Sequence, residues 1–572
     1  MKRFNWLLAA PIACVAMAAF GGTALAGGTT GSAAAGSGAP TGKVGGKIVI
    51  DNESGATWSC QFNPLNPADF GAGTTFGLMY EPLMYVNILQ STAAPKPMLA
   101  TADAWSHGFK TLTFTIRSGV KWTDGTAFSA KDVVYTFNAI KSDKALDINS
   151  LFTNDGGPIE SVTAKGSDKV VFKFNAPAQT YFYYVADQTA IVPQHIWSKL
   201  PQSKLATYTD TKPVGTGPYT LGSCSAQNIK YERNAHYWQS KPSHPVPMIQ
   251  EIDYPSFLSN TSANLQLQQG LAQWGGQYIP NVNSFYIKGN PSRHIWYPPT
   301  QNVALVPNLD NALLKQLPVR QAILAALNKK QISALGEGGE EQAANQTAVV
   351  TPTFSAWADT SIKQPSYNTA NAKEILKRAG FTKNGSGIYA KNGQALSFTI
   401  KTITGYSDWD ASLQIITQEL KAAGIQVTVQ DEASNTYQSD LQGGNFQLAY
   451  AGSGGPAAIS PGPSPYYELR GWLLSHNIGS TNYERYKNPA TDNLLNSYAS
   501  ANAAGQKHII DQVQKLMVSD IPFIPVTEGV DWFQYDTTKV GGWPTASDPY
   551  AQPSPYSSPD NGQVVAHLYP TK

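Results

Sequence analysis

Few residues in this 572-residue chain stand at spacings that perform chemistry. The eight histidines are scattered, with no H-E-x-x-H and no pair at the helical spacing that a bound metal needs. There is no C-x-x-C and no G-x-S-x-G; Gly452-Ser453-Gly454, inside a glycine-rich stretch, comes nearest. Gly38-Ala39-Pro40-Thr41-Gly42-Lys43-Val44 glances at a phosphate-binding loop, but that pattern needs Gly where Ser37 stands and Ser or Thr at Val44. No cofactor, metal ion or catalytic residue is therefore expected. The 39 Asp and Glu residues could place two carboxylates in a cleft as a glycoside-hydrolase pair. Surface and structural roles account for them more simply. Two cysteines lie beyond the N-terminal segment, Cys60 and Cys224. In an oxidising compartment an even count invites a bridge, and two buried thiols are the alternative.

The ends and totals narrow the class. Met1-Lys2-Arg3 is cationic, Trp6 to Phe20 is apolar, and small residues run to Ala24-Leu25-Ala26. That order is a secretory signal peptide, and Pro11 interrupts what would be a short membrane span, which needs about twenty apolar residues. Cys14 raises lipoprotein processing, yet Pro11 occupies the position where a lipobox wants a Leu-like residue. Cleavage after Ala26 is expected. Residues 27–46 (GGTTGSAAAGSGAPTGKVGG) then read as a flexible Gly/Ser/Ala linker. The net charge of +2 is matched by Lys2 and Arg3 alone, so the remainder offers no basic stripe for nucleic acid.

The elements that must position any site are mixed. Lys47-Ile48-Val49-Ile50-Asp51, Thr111 to Ile116 and Val170 to Phe174 read as strands, and so does Gln426 to Val429. Helices are expected from Ser129, a candidate N-cap, and over Pro318 to Lys330, Asn371 to Ala379 and Ser412 to Ala423. Helices and strands interleave throughout, so the class is α/β (mixed α+β).

Five blocks, in order, carry a resemblance. They are Leu65-Asn66-Pro67 with Leu78-Met79-Tyr80-Glu81-Pro82-Leu83; Leu112 to Val134, containing Trp122-Thr123-Asp124-Gly125; and Pro213-Val214-Gly215-Thr216-Gly217-Pro218-Tyr219 with Arg233-Asn234 and Tyr237-Trp238. Val319-Arg320-Gln321-Ala322-Ile323 and Asp520-Ile521-Pro522-Phe523-Ile524-Pro525 complete the set. Together they resemble the extracellular solute-binding protein family 5, the oligopeptide- and dipeptide-binding subunits of bacterial ABC importers. Gly, Pro and Asp in these blocks answer backbone needs, and the Gly215–Gly217 corner is expected to pass close to another backbone.

The resemblance implies a two-lobed, periplasmic-binding-protein-like fold with a ligand cleft between the lobes and an added subdomain. On that pattern residues 47–80, 206–299 and 532–572 form the first lobe, 81–205 the subdomain and 300–531 the second lobe. It also implies an exported, monomeric protein that passes oligopeptides to a membrane permease with its ATPase. In the peptide binders an Asp in the second lobe holds the ligand's amino group; the matching stretch here, Leu448 to Pro456, has no carboxylate. Gly270 to Pro280, with Trp296-Tyr297-Pro298-Pro299, resembles instead the oligosaccharide-binding branch. Trp274 would stack on a sugar, with Gln273 and Gln277 bonding hydroxyls, or Trp274 and Trp296 are core aromatics. Expected ligand contacts are Trp274, Gln273, Tyr278, Tyr450, Ser453, Trp58 and Glu53, with Glu468 a further possible anionic anchor. A secreted carbohydrate hydrolase and a surface sensor or adhesin are the readings from other classes.

The leader yields a direct expectation. N-terminal sequencing of exported material should begin at Gly27; a lipid on Cys14 would contradict it.

Overall fold

The computed structural model describes residues 43–52, 57–66, 74–91, 93–147, 149, 151–152, 157–243, 246–452 and 462–571. The leader, most of the linker, Glu53 and Ser453 lie outside them. Three larger sheets organise the described residues; the two largest draw strands from distant stretches, and the four-stranded one comes from residues 100–174 alone.

The largest has seven strands in the spatial order Arg293–Ile295, Gln534–Asp536, Trp274–Gly275, Gly45–Asp51, Ile249–Pro255, Asn228–Arg233 and Tyr219–Cys224. A six-stranded sheet follows the order Gln342–Ala343, Ile524–Val530, Pro299–Pro307, Leu448–Gly452, Ser397–Ile403 and Gln426–Glu432. Ala100–Ser106, Thr111–Ile116, Lys169–Phe174 and Ile159–Lys165 make a four-stranded antiparallel sheet. Mixed parallel and antiparallel pairing with helices interleaved is the expected fold class.

Local sequence explains most elements. In Thr111–Ile116 the residues Leu112, Phe114 and Ile116 alternate inward, as the two-residue period of a strand requires. Phe172 on the neighbouring strand meets Phe114 at 5.8 Å and Phe137 of the covering helix at 4.7 Å. That helix, Ala130–Ser142, starts at Ser129, whose side chain accepts from the Lys131 amide while Asp132 accepts from the Ser129 amide at 2.8 Å.

The expected helix from Pro318 to Lys330 is two helices, Leu317–Ala326 and Lys329–Leu335. Asn328 is the reason: its side chain caps the second helix at the Gln331 amide, and Glu419 accepts its own amide at 2.8 Å. The helix expected from Ser412 begins earlier, at Ser407, with Asp408 and Asp410 in its first turn.

The motif blocks hold distant pieces together. A Cβ on Gly215 would lie 1.8 Å from the Met79 carbonyl oxygen and one on Gly217 2.4 Å from that of Leu78, so no larger residue fits this crossing. Glu81 is buried there and accepts from the Tyr237 hydroxyl (2.6 Å) and the Trp238 indole (2.8 Å). Arg320 donates to the main-chain oxygens of Ile521 (2.8 Å) and Asp520 (2.6 Å), joining the last two blocks.

Cys60 and Cys224 form a disulfide with their Cα atoms 5.7 Å apart. It closes a loop of 164 residues, for which chain entropy alone assigns roughly 4–5 kcal/mol, with measured values often smaller. Denatured, unreduced mature protein should therefore show no titratable thiol, and Cys60→Ser/Cys224→Ser should unfold at lower denaturant. Two reactive thiols would contradict the bridge.

Candidate functional site

The seven- and six-stranded sheets are connected by two passages of chain that run side by side. Pro299 pairs with Val530 and Gln301 with Gly529 in the six-stranded sheet. The ladder continues outward through Asp531 N to Pro298 O (2.9 Å) and Trp296 N to Phe533 O (3.1 Å). On the other side of the Pro299–Pro307 strand, Leu305 pairs with Tyr450.

A polar group gathers beside this crossing. Glu341 accepts from the Thr527 hydroxyl at 2.6 Å, and Glu337 from the Ser412 hydroxyl at 2.5 Å. Asp408 accepts from the Asn260 amide at 3.2 Å. All three carboxylates are buried. Burial pushes Glu341 up to about 8, assisted by the Asp408 charge, and Asp408 up to about 6. Burial, then repulsion from Glu341 and Asp408, holds Glu337 well above the usual carboxylate range. Glu337 and Glu341 therefore favour the protonated form, which can both donate and accept hydrogen bonds, while Asp408 ionises above about pH 6.

Aromatic residues enclose it. Tyr450 is buried with its ring edge-on to Trp409 at 5.4 Å. Tyr278 comes from the seven-stranded sheet's side, with its ring 5.4 Å from Trp532. A Cβ on Gly338 would stand 3.0 Å from the Tyr278 hydroxyl, so the two parts of the protein touch there. Burial, then the Glu337 charge, pushes Tyr278 up to about 12. Asn260 stitches the same boundary, its amide N–H reaching the Gly405 carbonyl at 3.3 Å.

Of the expected contacts, the structure brings Tyr278 and Tyr450 together around this group. Trp274 has a different setting: it is wholly buried, edge-on to Trp543 at 5.8 Å, and its indole donates to the Pro553 carbonyl at 2.8 Å. Such a ring has no open face for a sugar. Gln273 accepts from the Val49 amide, and Gln277 donates to Asn264. Trp58 packs on Tyr254 at 4.6 Å and donates to its carbonyl at 2.8 Å, apart from the carboxylates. Glu468 accepts from the Asn302 backbone and side-chain amides. Sequence reasoning misses Glu337, Glu341 and Asp408. Gly336-Glu337-Gly338-Gly339-Glu340-Glu341, acids among glycines in a chain only 14% charged, was the available signal.

Comparison with known proteins places this arrangement. The family model "Bacterial extracellular solute-binding proteins, family 5 Middle" matches residues 94–471. Oligopeptide-binding protein AppA of Bacillus subtilis is 26% identical over 71% of this chain and 73% of its own. The nickel-binding periplasmic protein of Escherichia coli is 24% identical over 70% and 75%. A mannohexaose-bound periplasmic oligopeptide-binding protein from Thermotoga maritima superposes with a TM-score of 0.83 at 23% identity, covering 92% of this chain and 98% of the other. AppA with a nonapeptide gives 0.78 at 23% identity, covering 93% and 100%. These structural likenesses establish the two-lobed fold.

The raised carboxyls make stability depend on pH. Glu341 holds a proton in the folded protein that the unfolded chain releases above about pH 4.3. Its contribution is complete below that value and is lost as the pH rises toward 8. The melting temperature of the native protein should fall across this window, and Glu341→Gln should flatten the fall, with the variant's relative gain largest near pH 8. Parallel profiles would contradict the assignment.

Proposed function

Because the chain belongs to the bacterial extracellular solute-binding proteins of family 5, we propose that it captures oligopeptides between two lobes and delivers them to a membrane permease coupled to an ATPase. Members of this family are transport binding proteins rather than enzymes, and no reaction is assigned to the chain. The first lobe is taken as residues 47–80, 206–299 and 532–572, the second as 300–531, and the added subdomain as 81–205. The protein acts outside the cytoplasmic membrane as a monomer.

The observation that carries this reading is the meeting of Tyr278 and Asn260 from one side with Gly338, Asp408 and Tyr450 from the other, beside a narrow two-stranded connection. A solute enclosed there favours the closed arrangement by binding it better than the open one. The protonated Glu337 and Glu341 suit uncharged polar groups, so a peptide's backbone and side chains count for more than its free ammonium. The same property supports a second reading, an oligosaccharide whose hydroxyls pair with Glu337 and the Tyr450 hydroxyl.

Calorimetry with tri- to pentapeptides, their N-acetylated forms and neutral oligosaccharides tests the reading. Peptides should bind, and acetylation should weaken them by less than about threefold, under 0.7 kcal/mol by the affinity relation. Tyr278→Ala should weaken every bound peptide. Loss of more than about a hundredfold on acetylation would reveal an anionic anchor, and sugar binding alone would select the second reading. Loss of growth on the bound solute after gene deletion separates an importer from a sensor.

A further inference from the structure

The near-neutral total of the chain conceals an uneven distribution. Between Asp359 and Asp408 the sequence holds a single acid, Glu374, against seven cations, although the whole chain carries only +2. Five of the seven, Lys373, Lys377, Arg378, Lys383 and Lys391, fall within nineteen residues. The fold gathers them. Thr369–Arg378 is a helix that starts at the Asn368 cap and buries Ala372 and Leu376. The chain then turns into three short antiparallel strands, Thr382–Lys383, Tyr389–Lys391 and Gln394–Ala395. Between helix and strands runs an open groove of about 460 Å³, lined by Lys373, Lys377, Phe381, Thr382, Lys383 and Tyr389.

No carboxylate lines this groove. Its aromatic residues are fixed by burial, Phe381 and Tyr389 each being 1% exposed. The Lys383 ammonium lies 5.6 Å from the Tyr389 ring centre, and that of Lys391 lies 5.4 Å from the Phe381 ring centre. Local needs explain some of the charge. Lys377 and Arg378 stand in the helix's last turn, where cations complement its dipole. Lys391 donates to the Ala379 carbonyl just beyond that turn at 2.8 Å. Lys377 also pairs with Glu374 at 2.7 Å, an exposed pair of little strength. None of these reasons reaches Lys373 and Lys383. One lines the groove from the helix and the other from the first strand, and neither forms an ion pair among the described residues.

Like charges held side by side repel, and an anion placed against them relieves the repulsion. Several cations on one face attract a surface of fixed negative charge, and a bilayer bearing anionic headgroups is such a surface. No helix among the described residues is long and apolar enough to cross a membrane, and electrostatic docking needs none. We propose that the groove between Thr369–Arg378 and the Lys383 strand docks on an anionic lipid surface, with Lys373 and Lys383 engaging headgroup phosphates. The proposal rests on the reading that the chain works beside a membrane permease, and it adds how the protein stays near that membrane between deliveries. Ammonium groups on an exposed face make a contact that is weak for each group and reversible, as a carrier that must also leave requires.

The test is sedimentation of the native mature protein with vesicles of phosphatidylcholine alone, and with phosphatidylglycerol as about a third of the lipid. The mixed vesicles should bind at least about tenfold more tightly, and high salt should remove the difference by screening exposed charges. Lys373→Glu/Lys383→Glu should weaken binding to the mixed vesicles by at least about tenfold. Lys165→Glu/Lys169→Glu, an equal change of net charge at exposed residues of the four-stranded sheet, should leave that binding within about twofold. The lipid comparison and its salt dependence need only the native protein, so a misfolded variant leaves the test intact. Equal binding to both lipids, binding to neither, or equal loss in the two variants overturns the proposal. Vesicle binding is read without solute, so its failure leaves the capture of peptides standing. A protein that docks on the mixed vesicles but binds no peptide upholds the proposal and removes the peptide reading.

Discussion

The chain passes between its two large sheets twice, and the two passages hold each other. Main-chain hydrogen bonds at Trp296–Phe533 and Pro298–Asp531 lead from one sheet's edge to the Pro299–Val530 pair of the other, with a register shift between Pro299 and Gln301. Asp531 sits at the middle of this ribbon and accepts from Thr300 at 3.1 Å and Gln552 at 2.8 Å. A two-stranded antiparallel ribbon resists stretching and shear far more than bending and twisting. Such a connection is the hinge that the proposed cleft between two lobes would use. Every contact across the boundary, from Asn260–Asp408 to Tyr278–Gly338, presupposes that hinge.

What the hinge brings together has polarity but little charge. Glu337, Glu341 and Asp408 lie close enough to repel one another and too deep for water to screen them. Protonation of the two glutamates resolves the conflict, and Asp408, raised only to about 6, keeps the charge that holds them neutral.

Sequence legibility followed the range of the determining interactions. Thr111–Ile116 and the Ser129 cap were readable because alternation and capping act over a few residues. The break at Leu327 was not, because Asn328 is held by Glu419 across 91 residues. The Gly215–Gly217 corner announced a close approach without naming Met79 as the neighbour. Trp274 shows the limit for the site: a tryptophan beside glutamines has the same composition in a core as on a sugar platform. The carboxylate group draws on residues near 337, 408 and 527, so no local window contains it.

The seven-stranded sheet keeps an open slot until late in the chain. Gln534–Asp536 inserts between Arg293–Ile295 and Trp274–Gly275, the Trp274 indole waits for the carbonyl of Pro553, and the Tyr85 hydroxyl for Asp560, 475 residues onward. Contacts of such separation make closure slow, because a long loop must be ordered before any of them forms. For a chain threaded through a membrane N-terminus first, this is protective. In such a chain the sheet could not close until its last strand had emerged. The same delay leaves unpaired strand edges exposed on the far side, which makes the final stretch the point at which folding and aggregation compete.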